Sequence, residues 1–480
     1  MNKETYLTEY PKHESMRENV KKDKNRLHFH MMPPTGWMND PNGLCEFQGV
    51  NHIYFQYTPF LAGWGTKLWG HYTTKDWIHY KEEEPFLYPD EEWDRDGVYS
   101  GSAYTCEDGI HYFYTGNVKL WDKDYDYIMN GREQNTIHVF SPDGKNIAYK
   151  KLVMTNDDYP VNMSKHVRDP KIYKKDGRYY MIQGGRDAES YGCALLFCSD
   201  DLEHWKWYDT VRTAKPFGYM WECPDLFEMD GQLYIICCPQ GVETQGIDYE
   251  NVHQVTAMKL DYDFDTDEYE ITDIKLFDRG FDFYAPQSFE DESGRRILIG
   301  WMGIPDADYT NPTEEAGWQH ALTIPRELSV RDGKLIQEPI EELKQLRSED
   351  KAVCTFCYGQ TIIMQNAIYE AIVDFKRCRE MVMTLREGIT LSYKDNILTL
   401  NLGVYGSGRS TRKVRLEKLE HLQIFADTSS LEIFVNHGEE VFTTRIYNHY
   451  GRLLINGECS GIMTVYPLKS FEIEGGRHEE

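Results

Sequence analysis

The sequence predicts an all-β protein, a five-bladed β-propeller followed by a C-terminal β-sandwich, and three observations predict it. The first is a repeat. Five stretches share one layout: a polar or acidic residue beside Pro or Gly, a short strand, a turn, and an aliphatic-aromatic strand. They are anchored on Asp40, Ser100, Asp169, Glu222 and Tyr284. The second is a repeat in phase with the first, Lys75-Asp76-Trp77, Ser141-Pro142-Asp143-Gly144 and Ser199-Asp200-Asp201-Leu202. Each reads as the turn between the outer strands of one unit. Repeats of this size, built of short strands and tight turns, indicate one four-stranded sheet per repeat arranged around an axis. The third is a change of texture. From about residue 351 the chain turns into short alternating strands, as at 388–393 and 431–435, without Asp-Pro or Glu-Cys-Pro. A β-sandwich supporting the propeller fits that pattern.

Taken in order, 480 residues suit two domains. Residues 1–24 are polar and mixed in charge, with neither a secretory leader nor a membrane span, and read as an extension. Residues 25–336 hold the five repeats, and 321–328 read as a closing strand with Pro325 at an edge or bulge. In 337–350, Ile340, Leu343 and Leu346 recur at helical spacing and predict a linker helix. Residues 351–480 form the sandwich. A net charge of -27 sets aside nucleic acid and anionic membranes as partners. Without a leader the expected location is the cytoplasm, as a monomer or homodimer. The 11 Cys are scattered and odd in number, which fits a reducing compartment. The lone Cys354-Thr355-Phe356-Cys357 would point its thiols to opposite faces of a strand, so no metal site is expected there.

The innermost strands of a propeller line its central channel. Asp40, Asp169 and Glu222 therefore converge although far apart in sequence. Three carboxylates facing one another repel, and a purely structural propeller has no reason to keep them. Glycoside hydrolysis does: a retaining enzyme holds two carboxyl groups roughly 5 Å apart, one to attack and one to donate a proton. Neighbouring carboxylates raise the pKa of the acid. Asn39, Gln56, Trp64, Arg168, Trp221 and Trp318 suit a sugar, with its hydroxyl edges and apolar face. The bland readings are an Asx-turn at Asp40 and an Arg168–Asp169 ion pair.

At these residues the sequence resembles glycoside hydrolase family 32, the invertases and fructan hydrolases. Trp37-Met38-Asn39-Asp40-Pro41-Asn42-Gly43, Arg168-Asp169-Pro170 and Glu222-Cys223-Pro224 match that family's three acidic motifs in order, and the likeness covers nearly the whole chain. The resemblance implies retaining cleavage at a fructosyl carbon, with Asp40 as nucleophile, Glu222 as general acid/base and Asp169 stabilising the transition state. It places Trp37, Met38, Asn39, Gln56, Trp64, Tyr99, Ser100, Arg168 and Trp318 at the sugar, with Tyr99 where the family usually has Phe. It implies no cofactor and no metal. Within the family the likeness is to the bacterial sucrose-6-phosphate hydrolases, which makes sucrose, sucrose-6-phosphate or short fructo-oligosaccharides the expected substrates. A fructan β-fructosidase, an inverting furanosidase and a non-catalytic sugar-binding propeller are the alternatives. A phosphorylated sugar would require cations at the pocket rim, for which Lys67, Lys119 and above all Arg186 are the candidates.

Overall fold

The motif of every repeat lies inside a strand, at a β-bulge. The computed structural model describes residues 1–121, 126–358, 362–364 and 367–475. In it the strands Gly36–Phe47, Val98–Cys106, Met163–Lys175, Met220–Met229 and Tyr284–Glu290 each pair antiparallel with the next strand. Each ladder slips register at its motif: between Met38 and Pro41, Val98 and Gly101, Arg168 and Lys171, Glu222 and Asp225, and Tyr284 and Gln287. Proline explains the place of the slip. It has no N–H to give, so inside a sheet it stands only where the ladder is already broken. Pro41, Pro170, Pro224 and Pro286 occupy four of the five slips. A bulge re-aims the side chains beside it, and Asp169 (φ +66°), Cys223 (+48°) and Ala285 (+45°) take left-handed backbone there. Asn42-Gly43 is likewise no turn but part of the strand, at a second slip. Gly43 has φ +53°, and a Cβ on it would lie 2.8 Å from the Trp69 ring and 2.9 Å from the Tyr54 ring.

The expectation of five like blades is corrected to four. Four-stranded sheets are formed by the strands within 98–154, 163–211, 220–276 and 284–339. The sheet carrying Asp40 is instead six-stranded, in the order Trp318–Gln319, Gly36–Phe47, Val50–Thr58, Leu68–Thr74, His79–Glu82, Glu472–Gly475. Its two outermost members come from remote parts of the chain and pair parallel, Gly36 with Trp318 and Tyr80 with Ile473. An open edge strand exposes a row of unpaired N–H and C=O groups; here each end of the four-strand run gains a short partner, of which Glu472–Gly475 is itself exposed. Closure onto the first sheet thus falls to Trp318–Gln319. The segment expected to close the ring instead supplies Arg326–Arg331, the third strand of the last blade. The in-phase turns lie between third and fourth strands as expected. In each, one carboxylate oxygen (of Asp76, Asp143 or Asp201) accepts the N–H groups two and three residues on.

The C-terminal part is one ten-stranded hydrogen-bonded network folded over itself in a sandwich-like way. The long strand Tyr369–Arg386 pairs along one edge with Leu453–Pro467. Along the other it pairs first with His421–Asp427 and then with Ile389–Lys394, so it serves both halves. Its alternate residues Tyr369, Ala371, Val373, Met381, Met383 and Leu385 enter one apolar core. The linker helix is a 3-10 turn, Glu341–Leu346, with Leu343 and Leu346 buried. The N-terminal extension is folded too. Helices Lys3–Glu9 and Glu14–Lys21 set Tyr6 against Phe60 and Tyr88, and Arg17 grips Glu82 with two hydrogen bonds of 2.9 and 3.1 Å. No helix among the described residues is long and apolar enough to cross a membrane.

Candidate active site

Asp40, Asp169 and Glu222 line one cavity of about 390 Å³ with Asn39, Gln56, Trp64, Tyr99, Ser100 and Arg168. The bulges bring them there: each acid stands at a slip of the innermost strand of its sheet. Asp40 is held at both oxygens, Oδ1 by the Asn39 amide at 3.0 Å and Oδ2 by the Ser100 hydroxyl at 2.5 Å. Asn39 is in turn fixed by the Trp37 indole N–H at 2.9 Å. Glu222 accepts from Arg168 Nε (3.0 Å) and Nη2 (2.6 Å) at one oxygen, and from Gln240 and Tyr284 (both 2.7 Å) at the other. Asp169 accepts the Cys223 N–H at 2.8 Å. The Cys223 thiol, between the two aspartates, lies 3.7 Å from Asp40 and 3.6 Å from Asp169.

Burial sets the electrostatics. It raises Asp40 above the ordinary carboxylate range; the Ser100 and Asn39 hydrogen bonds oppose it and the Glu222 charge adds to it. Asp169 is raised by burial against the pull of Arg168, and the Glu222 and Asp40 charges push the same way as burial. Lys67, buried and 4.5 Å from the Trp64 ring, is brought down to about 7, with Asp40 holding it up. Two carboxyl groups held by fixed donors in a half-open cavity, with a third beside a guanidinium, can divide nucleophilic, proton-transfer and hydroxyl-binding tasks.

Four of the expected sugar neighbours are elsewhere, and Trp221 is one: it has no exposed surface, and its indole N–H donates to the Phe217 carbonyl at 2.8 Å. Met38 is sealed in the core of the first sheet with Ile53 and Phe55. Trp318 has no exposed surface: its indole N–H donates to Asp23 at 2.7 Å, and it packs with Val20, Leu27 and Met32. It is buried because its strand closes the sheet beside Gly36. Trp37 stands behind the cavity wall, against His320 (4.3 Å between ring centroids) and Trp64 (6.1 Å), and acts on the site through Asn39. Arg186 does not line the cavity; it stacks on Tyr219 and bonds Ser190 at 2.9 Å. Lys67 and Lys119 do line it.

Sequence reasoning missed Gln240, Arg132, His166, Tyr127, Pro305 and Asp306, which complete the lining with Tyr284 and Trp301. Two signals were available. His166 is two residues before Arg168, on the same side of one strand. Gln240 ends the strand paired with the one bearing Glu222. Among the described residues one trio brings possible metal-ligand atoms within 4.8 Å of one another, Cys106, Asp108 and His111, on a hairpin outside this cavity.

Comparison with known proteins gives the family. Residues 30–339 match the glycosyl hydrolases family 32 N-terminal domain, and 363–465 match the glycosyl hydrolases family 32 C terminal. The chain is 37% identical to a sucrose-6-phosphate hydrolase of Bacillus subtilis, over 92% of both chains. It is 35% identical to one of Staphylococcus xylosus, over 96% of this chain and 95% of that one. Among solved structures, the sucrose-6-phosphate hydrolase of Lactobacillus gasseri superposes with a TM-score of 0.85 at 27% identity, covering 95% of this chain and 96% of its own. A Bombyx mori family 32 beta-fructofuranosidase mutant, solved in complex with sucrose, gives 0.84 at 27% identity, covering 99% and 100%. Matched in both parts and related along nearly its whole length, the chain belongs to glycosyl hydrolase family 32.

Proposed function

We propose that this glycoside hydrolase is a β-fructofuranosidase that cleaves the fructosyl bond of sucrose and of sucrose-6-phosphate by a retaining double displacement. One observation carries the reading: the three acids share a single cavity, each fixed by its own donors. The relatives named for sucrose-6-phosphate and the sucrose complex of the silkworm enzyme support the substrate. In the first step the Asp40 carboxylate attacks the fructosyl anomeric carbon while Glu222, protonated, gives its proton to the departing glucosyl oxygen. Ser100 and Asn39 keep Asp40 from turning away. In the second step the Glu222 carboxylate takes a proton from water, the water oxygen attacks the same carbon, and Asp40 is released. Tyr284, Gln240 and Arg168 hold Glu222 in place for both transfers. Asp169 accepts hydrogen bonds from fructosyl hydroxyls.

The test is Asp40→Asn and Glu222→Gln, each with the anomer of the first-formed fructose followed by NMR in the wild type. Each variant should lose at least about 10²–10⁴-fold in kcat, the size of general acid–base help, with its melting temperature kept within a few degrees. The first product should retain configuration. Inversion, or a tenth of wild-type turnover in Asp40→Asn, would remove the double displacement.

A further inference from the structure

Lys119 and Arg132 face each other directly across two strands, Val118-Lys119 running against Arg132-Glu133. Directly opposed side chains lie close enough that like charges there destabilise a sheet. Among the described residues neither has a carboxylate partner, in a chain of net charge -27. The nearby Asp96 carboxylate is taken up by the Lys119 backbone N–H at 2.7 Å. Both cations line the same cavity as the three acids. Their side of it is the mouth: Tyr127, bonded to Arg132, is exposed, Lys119 half-buried and Trp121 beyond it exposed.

Between this pair and the acids stands His166. Its Nδ1 is 2.9 Å from Arg168 Nη1 and 3.4 Å from Arg132 Nη1, both donors, so Nδ1 accepts. Burial and the two guanidiniums push the ring down to about 2, so it is neutral, with its proton on Nε2. Among the described residues that N–H finds only the Tyr127 backbone carbonyl, outside good hydrogen-bond geometry, and Arg132 Nε finds no partner, although both atoms are buried. Unmet buried donors beside two cations that have no carboxylate partner among the described residues are costly, and an oxyanion relieves them. The fructosyl group occupies the acids, so the leaving sugar extends toward the mouth.

We propose that Lys119, Arg132 and the Nε2–H of His166 form a subsite for a phosphate carried by the leaving sugar. The inference rests on the fructosidase reading above and deepens it. Arg132 offers a planar fork and Lys119 a point charge, and Arg132 reaches Glu222 through His166 and Arg168, which ties the occupied subsite to the proton donor. The cations that the sequence favoured are replaced in part: Arg186 is turned to Tyr219, whereas Lys119 stays.

The experiment measures kcat/KM on sucrose-6-phosphate and on sucrose for the wild type, Lys119→Gln and Arg132→Gln, with competitive inhibition by glucose 6-phosphate and by glucose. The wild type should favour the phosphorylated sugar. Each variant should lower the ratio of the two specificity constants by about tenfold or more, the scale of one charge-assisted hydrogen bond. In Lys119→Gln the loss should fall mainly on KM. The Ki of glucose 6-phosphate should rise in parallel, with glucose as reference. An unchanged ratio in Lys119→Gln, or no preference in the wild type, would overturn the subsite while leaving the fructosidase standing. Hydrolysis of neither sugar would overturn both.

Discussion

At the scale of single residues, the hydrogen bond from Ser100 decides how far Asp40 can stay charged. Burial raises the Asp40 pKa, and the 2.5 Å bond from Ser100 holds it down. The nucleophile must be ionised, so kcat/KM falls as pH drops through that pKa. In Ser100→Ala one restraint on the rise is gone. The acid limb of the kcat/KM profile should move to higher pH by about one unit, given roughly 1.5 kcal/mol or more for a hydrogen bond to a charge. A limb that stays put or moves down would show that Asp40 is not the titrating group. The three acids were legible in the sequence because each stands in a motif with Pro or Gly beside it. Trp318 was misread because an aromatic at a motif looks the same whether it meets sugar or core. What settles it is a strand pairing 282 positions away that leaves no local trace. Lys119 was named from the sequence as a rim cation, but Arg132 was not, since it lies in no motif and only the cross-strand register sets it opposite Lys119.

At the scale of elements, the strand that carries Asp40 depends on a glycine. Gly43 adopts φ +53° between the Trp69 and Tyr54 rings. Gly43→Ala meets both left-handed strain, about 1–2 kcal/mol, and crowding, typically about 1–3 kcal/mol. Chemical denaturation should show a loss of about 2–5 kcal/mol from these two sources. A variant as stable as the wild type would mean that the strand relaxes freely there. The sequence marked this point, but Asn-Gly reads as a turn by local chemistry, and only pairing on both sides keeps it in a ladder. The same limit hid the two-residue strand Trp318–Gln319 and the four-residue strand Glu472–Gly475: neither is long enough to show a period of two. The N-terminal helices were visible in principle. Tyr6, Tyr10 and Val20 are the buried positions of a polar segment, and Asn2 caps the first helix by accepting the Thr5 N–H at 2.9 Å. Their high charge made the segment read only as a polar extension.

At the scale of the whole molecule, the blades and the sandwich are joined by buried charges. His30, just before the first sheet, bonds Asp427 through Nδ1 (2.8 Å) and Glu432 through Nε2 (2.9 Å), both from the sandwich. Arg326 of the last blade bonds the other Glu432 oxygen at 2.5 Å and Asp278 at 3.3 Å, and all five side chains are sealed from solvent. With both ring nitrogens on carboxylates, His30 is an imidazolium. Burial opposes that charge, and Asp427 and Glu432 more than offset it, so its pKa is raised above 6.5. Burial likewise opposes the charges of Asp427 and Glu432; His30 and the backbone N–H groups of Phe29 and His28 hold Asp427 below its ordinary value, and Arg326 with His30 does the same for Glu432. The signs then follow from linkage. The His30 contribution is complete below the unfolded pKa of about 6.5 and is lost as pH rises through the folded value. The contribution of the two carboxylates is present above their unfolded values near 4 and is lost as pH falls through the folded ones. Stability of the joined molecule should therefore peak in the mildly acidic range and decline above pH 6.5 as His30 loses its proton. His30→Gln leaves two buried carboxylates short of a partner, a loss of about 3–5 kcal/mol by analogy with other broken buried pairs. The decline with rising pH should also be weaker in the variant, since the group that causes it is gone. Calorimetric melts of both proteins from pH 5 to 9 read both effects. A wild-type melting temperature that rose steadily through pH 8, or a variant with the same alkaline slope, would show that His30 is neutral where the two parts meet.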